Sequence, residues 1–397
     1  MLLVFQLENK LSPLISVCIP VYDTEPYLAQ CLQSVYTQDF DSFEIVIVSD
    51  RSCGRDENGR NAKKIVARAQ KAADTFRRER AWQPVPIRFI EHRENRGLIE
   101  VRRTLMYEAR GFYLTQVDSD DEMEEGALRT LWEAAFRGRD SDLRRNDVAC
   151  RNDTACWNDG ACHAELVSAS PQYFDIVHGT STAGTFGGDG CFVPAAQNRY
   201  GKIFYGRLSG RDIFRRWLLE GAFTANTWGK LIKRELWQKA YENIPYTECN
   251  MADDVLLFFF LAQYAKTYVG IESRVYRYRI NTGMTSARKI NSMHKWKLIA
   301  SAASVFSVIS EWLEQRTEGT LLPDEIDCIR QKTRFYLMNN IMQLHEAVVP
   351  EMQEEARALL CDYWGSSFVE KAEAAFCRRR DSVLTADSAA AADSAIV

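Results

Sequence analysis

Three carboxylates crowd into four positions at Asp118, Asp120 and Asp121, directly after the β-prone run Tyr113-Leu114-Thr115-Gln116-Val117. Acids at that density repel one another, and a fold keeps them at a strand end mainly when a cation sits there. Oxygen-only ligands suit a hard divalent ion such as Mg²⁺ or Mn²⁺, which commonly carries a substrate's phosphates. The plain alternative is a solvated acidic turn opening a helix, because carboxylates favour the first helical turn. A second acid pair, Asp253-Asp254, stands directly before the apolar run 255–262. It reads either as a reactive pair or as a helix N-terminal charge pair.

The elements that must position these acids alternate in type. Residues 14–20, 43–48, 86–91 and 112–117 form short apolar runs of the kind buried on both faces of a parallel sheet. Between them, 25–36, 61–80 and 97–110 carry helical spacing, with Tyr27, Leu28, Cys31, Leu32 and Val35 on one stripe of the first. This alternation predicts a doubly wound α/β sheet, whose ligands bind beyond the carboxyl ends of its strands. Asp23, Asp50, Arg96 and Asp118–Asp121 all follow such ends, which favours the chemical reading of the acids. Further helices are predicted over 125–137, 210–219 and 251–266, and a strand over 173–178. A hairpin within 179–205, a turn and helix over 225–241, and two short strands over 267–271 and 274–279 complete this part. Arg77, Arg78 and Arg80 read as a solvated helix face, and Trp228 reads as core.

With 397 residues, 46% of them hydrophobic, the chain can fill one large domain with an appendage, or two domains. Fifty Lys and Arg against 54 Asp and Glu leave a net charge of −4, which implies no general affinity for nucleic acid. The first ten residues lack the basic start and apolar run of a signal peptide. The 11 scattered cysteines fit a reducing compartment, so a cytoplasmic location is expected. The longest apolar run, 255–262, is far shorter than the ~20 residues a membrane span takes. Peripheral contact with the inner face of a membrane stays open, as does homo-oligomer formation. Residues 145–162 hold a six-residue repeat ending in Cys150, Cys156 and Cys162, followed by His163. Structural zinc sites use a closer, paired cysteine spacing, so 140–172 reads as a looped-out low-complexity insertion. None of the five histidines is assigned to a metal. Towards the C-terminus the pattern becomes helical only, over 295–314, 323–347, 352–364 and 368–379. Residues 382–397 read as a disordered tail.

Ile15-Ser16-Val17-Cys18-Ile19-Pro20-Val21-Tyr22-Asp23, Tyr27-Leu28-x-x-Cys31-Leu32 and Glu44-Ile45-Val46-Ile47-Val48-Ser49-Asp50-Arg51-Ser52 resemble the opening of family 2 glycosyltransferases. Asn95-x-Gly97-Leu98 with Arg102, then Ala109-Arg110-Gly111-x-Tyr113 leading to Asp118-Ser119-Asp120-Asp121, continue the likeness in order. Trp228-Gly229-Lys230-Leu231, Asp253-Asp254 and Tyr276-x-Tyr278-Arg279 resemble the acceptor half. The resemblance implies the α/β glycosyltransferase A fold (Rossmann-like, nucleotide-diphospho-sugar transferase) with a C-terminal helical appendage. The catalytic domain is expected over 1–286 and the appendage over 287–381.

The resemblance also implies roles. Pro20, Tyr22 and Asp23 line the nucleotide pocket, Asp50 reads the base, and Arg102 lies near the pyrophosphate. Asp118 and Asp120 hold Mg²⁺ or Mn²⁺, Asp120 directly and Asp118 towards the ribose or the waters of the metal. Asp254, with Asp253 beside it, is the base that deprotonates the acceptor hydroxyl. The implied reaction is inverting transfer from a nucleotide-diphosphate sugar donor to a glycan or lipid-linked acceptor, in bacterial cell-surface polysaccharide synthesis. Ser49-Asp50-Arg51-Ser52 departs from the family's Asp-Asp-Gly-Ser, and Arg51 is expected to be strained where glycine's positive φ is favoured. Asp253-Asp254 stands for Glu-Asp, and Arg102-Arg103 for Arg-Asn. Two other readings stay open: a catalytically impaired nucleotide-sugar-binding module, and a sugar nucleotidyltransferase. Residues 21–26 argue against the latter, because they offer no Lys or Arg.

Overall fold

β1 (Ile15–Val21) and β2 (Phe43–Ser49) are buried at every position in the computed structural model, as central strands covered on both faces must be. The structure describes residues 13–136, 173–186, 191–195, 200–280, 282, 289–316 and 319–378. The predicted insertion over 140–172 with its cysteine repeat, and the predicted tail over 382–397, lie outside these residues. β1 pairs in parallel with β2 and β4 (Tyr113–Gln116), and β2 with β3 (Ile87–Glu91). The crossovers are α1 (Glu25–Tyr36), α2 (Ala62–Glu79) and α3 (Leu98–Glu108). Pro26 sits in the first turn of α1, where a missing N–H costs nothing. Asn61 caps α2 by accepting the Lys64 N–H at 3.1 Å.

Beyond β4 the sheet becomes mixed. β9 (Lys230–Lys233) pairs antiparallel with β4 and with β6 (Ile176–Phe186), and β10 (Thr267–Arg279) runs parallel to β6. β5 (Glu122–Met123) and β8 (Gly206–Ser209) flank β10, and β7 (Phe192–Pro194) closes a hairpin with β6. α4 (Ala127–Phe136), α5 (Arg211–Leu218), α6 (Arg234–Tyr241) and α7 (Asp253–Tyr264) follow in chain order. The helical C-terminal region comprises α8 (Met293–Ala300), α9 (Ala302–Glu314), α10 (Pro323–Glu346) and α11 (Gln353–Trp364), and a further helix through 366–378. A mixed α/β sheet with a helical C-terminal region agrees with the expected fold class.

α7 is the joint between sheet and helical region. Leu256 to Ala262 are buried without a break, as in a helix covered all round. Trp312 of α9 packs its ring edge-on against Phe259 and Phe260, with centroids 5.6 and 5.5 Å apart. The apolar core of α7 therefore continues into α9 and α10.

Four local expectations need correction. The two short strands at 267–271 and 274–279 are one strand, β10, with register shifts between Gly270 and Tyr276. Such bulges break the alternation that marks a strand in sequence. The turn before Trp237 contains β9, too short at four residues to show a period. The single helix expected over 295–314 is two, divided at Ser301. Its Oγ donates to Leu298 O at 2.6 Å and accepts the N–H groups of Asn250 and Met251. Arg77 is fully buried rather than solvated. Its guanidinium donates to the carbonyls of Gln38 and Phe40 at 2.9 Å, and also to those of Tyr36 and Gln83.

Candidate active site

A cavity of about 400 Å³ lies beyond the carboxyl ends of β1, β2 and β4. Pro20, Tyr22, Asp23, Asp50, Asp118 and Asp120 all line it, while Arg102, also expected on the donor side, is buried and not among its lining residues. Asp50 is 2% exposed. Its Oδ1 lies 2.7 Å from His92 Nδ1, and its carboxylate accepts the N–H groups of Arg96 and Gly97, the latter at 2.8 Å. With its oxygens so engaged, Asp50 folds the 95–97 loop over the strand ends and brings Asn95 to the cavity wall.

The three clustered acids divide their work. Asp121 faces away from the cavity, accepting Tyr276 Oη–H at 2.8 Å and the Arg279 N–H at 2.6 Å. Arg279 Nε donates to the Asp120 carbonyl at 2.7 Å, and Tyr276 Oη accepts the Asp118 N–H at 3.0 Å. The Tyr276-x-Tyr278-Arg279 segment thus pins the acidic turn to β10. Asp118 and Asp120 remain at the cavity. Burial and then repulsion from Asp118 push the Asp120 carboxyl above its ordinary range. Its Oδ2 accepts Thr282 Oγ1–H at 2.8 Å. Among the described residues no third His, Cys, Asp or Glu completes a ligand cluster. Two carboxylates suit an ion such as Mg²⁺ that fills its shell with substrate phosphates and water.

Arg102 ties this turn to the second acid pair. Its Nε donates to Asp253 at 2.7 Å, one terminal nitrogen to Gln116 at 3.0 Å and the other to Asp118 at 3.3 Å. Burial alone would weaken its hold on the proton, but Asp253 and Asp118 keep it above its ordinary range. Burial raises both Asp253 and Asp254. Asp254 instead lines a second cavity, of about 460 Å³, with Trp217, Phe223, Trp228, Tyr278 and α10's Lys332 and Tyr336. Trp228 is 8% exposed and stacks on Tyr276 and Tyr278, with centroids 4.7 and 5.4 Å away. It is core by burial, as expected, while still lining this cavity. Beneath it Lys230 Nζ donates to the carbonyls of Thr224, at 3.0 Å, and Asn226.

Backbone strain concentrates here. Asp23 (φ 54°), Arg51 (φ 59°) and Ala252 (φ 62°) are three of the four non-glycine residues at positive φ among the described residues. Each costs of order 1–3 kcal/mol, a cost that persists where a site demands the conformation. Ala252 turns the chain into α7 directly ahead of the acid pair.

Other residues at these cavities carried no usable sequence signal. His294, Lys295 and Leu298 of α8 close the first cavity, with His294 Nε2 3.1 Å from Tyr22 Oη. Asn250 lines the same cavity and accepts the Leu98 N–H at 3.0 Å, capping α3. Lys332 and Tyr336 come from the helical region to the Asp254 side.

Residues 16–160 match the sequence model of the family described as Glycosyl transferase family 2. Glycosyltransferase GlyA of Streptococcus pneumoniae is 35% identical over 119 residues, which are 30% of this chain and 14% of GlyA. The GalNAc(5)-diNAcBac-PP-undecaprenol beta-1,3-glucosyltransferase of Campylobacter jejuni is 27% identical over 126 residues, 32% of this chain and 36% of that protein. The chain thus spans well under half the length of these curated relatives. Among solved structures, Staphylococcus aureus TarS 1–349 in complex with UDP-GlcNAc is similar at 17% identity and a TM-score of 0.44. The match covers 92% of this chain and 91% of that one.

Proposed function

We infer, from the premise that this chain belongs through residues 16–160 to glycosyl transferase family 2, that it moves a sugar from a nucleotide-diphosphate donor to an acceptor hydroxyl. The observation that carries this reading is Arg102. One buried guanidinium holds Asp118, at the donor cavity, and Asp253, next to the Asp254 of the other cavity. Two cavities whose acids are linked through one buried cation suit a reaction between two substrates.

In this reading the nucleotide lies along Pro20, Tyr22 and Asp23, in a wall that Asp50 organises through the 95–97 loop. Asp120 and Asp118 would hold Mg²⁺ or Mn²⁺, which supplies Lewis-acid neutralisation of the departing diphosphate. Asp254 removes the proton from an acceptor hydroxyl in the second cavity. The hydroxyl oxygen bonds to the anomeric carbon as the carbon–diphosphate oxygen bond breaks, giving inversion. Burial makes ionised Asp254 a stronger base than a solvated carboxylate, which suits it to this step. The catalytic part over 1–286 and the helical region over 287–381 work as one site, since α8 lines the donor cavity and α10 the Asp254 cavity. The name of the Campylobacter relative supports a lipid-linked glycan acceptor; in this reading the chain serves cell-surface polysaccharide synthesis at the inner face of the membrane.

The test is to incubate the purified chain with Mn²⁺ and a panel of sugar nucleotides and follow the released product. Nucleoside diphosphate release that depends on Asp254 supports the transferase. Pyrophosphate release would move the assignment to sugar-nucleotide synthesis, and donor binding without release would make the chain a binding module.

A further inference from the structure

A third cavity, of about 790 Å³, lies wholly within the helical region. Phe306 and Leu313 of α9, Ile329 and Leu337 of α10, and Trp364 of α11 give it apolar walls, and Phe368 stands at its mouth 67% exposed. Three arginines, Arg316, Arg330 and Arg334, are also among its lining residues, against one carboxylate residue, Glu314. Arg330 shares the exposed Asp327 at 3.1 Å, and Arg316 donates to the uncharged Asn243. Apolar surface of this extent gains by excluding water. A cationic margin adds a demand for negative charge, and guanidinium groups meet phosphate with paired donors. Neither the donor cavity nor the Asp254 cavity combines apolar walls with several arginines among its lining residues.

We propose that this cavity binds a single lipid phosphate, with one isoprenoid chain in the slot and its phosphate on the Arg316, Arg330 and Arg334 rim. α10 is the wall common to this cavity and the Asp254 cavity, and Tyr336 on the latter side touches Phe306 of the former, with centroids 5.4 Å apart. A lipid phosphate seated here sits one helix away from the acid pair. The choice of an isoprenoid over another lipid rests on the lipid-linked acceptor proposed above, while uptake itself does not require the transfer chemistry.

Calorimetry on the full chain with farnesyl phosphate, kept below its micelle concentration, tests this. Saturable one-to-one binding is expected, with farnesol at least about tenfold weaker because the arginines then lose their partner. Inorganic phosphate at equal concentration should not compete. Ser310→Trp fills the slot from an exposed position of α9 and should abolish binding, while its melting curve stays that of the parent chain. Arg334→Glu, also exposed, should weaken binding about tenfold. No saturable uptake, or uptake unchanged in Ser310→Trp, overturns the proposal. So does adsorption to anionic phospholipid vesicles without uptake of monomeric farnesyl phosphate, because that describes a surface and not a site.

Discussion

The two sides of the candidate site follow different plans. The donor cavity collects residues at the ends of parallel strands in turn: 20–24 at the end of β1 and just beyond it, Asp50 after β2, Asn95 after β3 and 118–120 after β4. The Asp254 cavity gathers Trp217 from α5, Trp228 ahead of β9, Tyr278 from β10, and Lys332 and Tyr336 from α10. A topological rule places the first set; packing between distant segments places the second. The charges differ likewise. The donor side opposes Asp118 and Asp120, while the other side sets one half-buried acid, Asp254, among aromatic rings with the buried Lys230 nearby. If the sides are separable, variants on each should fail in different measurements.

The largest effect is expected from Asp254→Asn. Turnover should fall by about 10³-fold or more, the scale of losing a general base, with donor affinity by calorimetry unchanged. Donor binding lost in that variant would break the division between the sides. Next, Asp120→Ala should weaken Mn²⁺-dependent donor binding about 100-fold. Chelation should bring the wild type to the level of the variant and leave the variant where it is. A variant still responsive to chelation would remove Asp120 from the metal.

The pH profile sharpens the comparison from the acceptor side alone. Burial raises Asp254, Asp118 adds to the rise, and Arg102 and Lys230 oppose it. A base works only when ionised, so kcat/KM should fall on acidification with a midpoint above the ordinary carboxylate value of about 4. Burial pulls Lys230 well below the ordinary lysine range while Asp254 helps it keep its proton, so Lys230→Met tests whether it acts as an opposing cation: the midpoint should move further up, while donor affinity stays put. A midpoint that moves down, or does not move, would detach Lys230 from the base.

The same contrast explains what the sequence could show. Strand-end acids were legible because β1, β2 and β4 are uniformly buried and read as apolar runs, and each acid follows one directly. Even there the roles were only half visible. Asp121 looks like a third ligand until the Tyr276 and Arg279 hydrogen bonds, more than 150 residues away, turn it inward. His294, Lys295, Lys332 and Tyr336 had no local signature, because their positions depend on how α8 and α10 dock on the sheet. Arg77 misled for the opposite reason. Its neighbours Arg78 and Arg80 are exposed, and only the carbonyls left by the turn after α1 make burial of its charge affordable.

The smallest effect belongs to Arg51, on the donor side. It is exposed and held at φ 59°, in the conformation that glycine adopts freely. The strain costs about 1 kcal/mol, while a glycine adds roughly 0.4–1 kcal/mol of unfolded-state freedom. Arg51→Gly should therefore raise the melting temperature by no more than about 2 °C. Donor affinity should change by less than about twofold, because His92, Arg96 and Gly97 hold the Asp50 carboxylate and Arg51 does not. A large gain or loss of donor affinity with a flat melting curve would mean that the Arg51 side chain itself meets the nucleotide. The donor side would then owe one of its contacts to an exposed side chain and not to the strand ends.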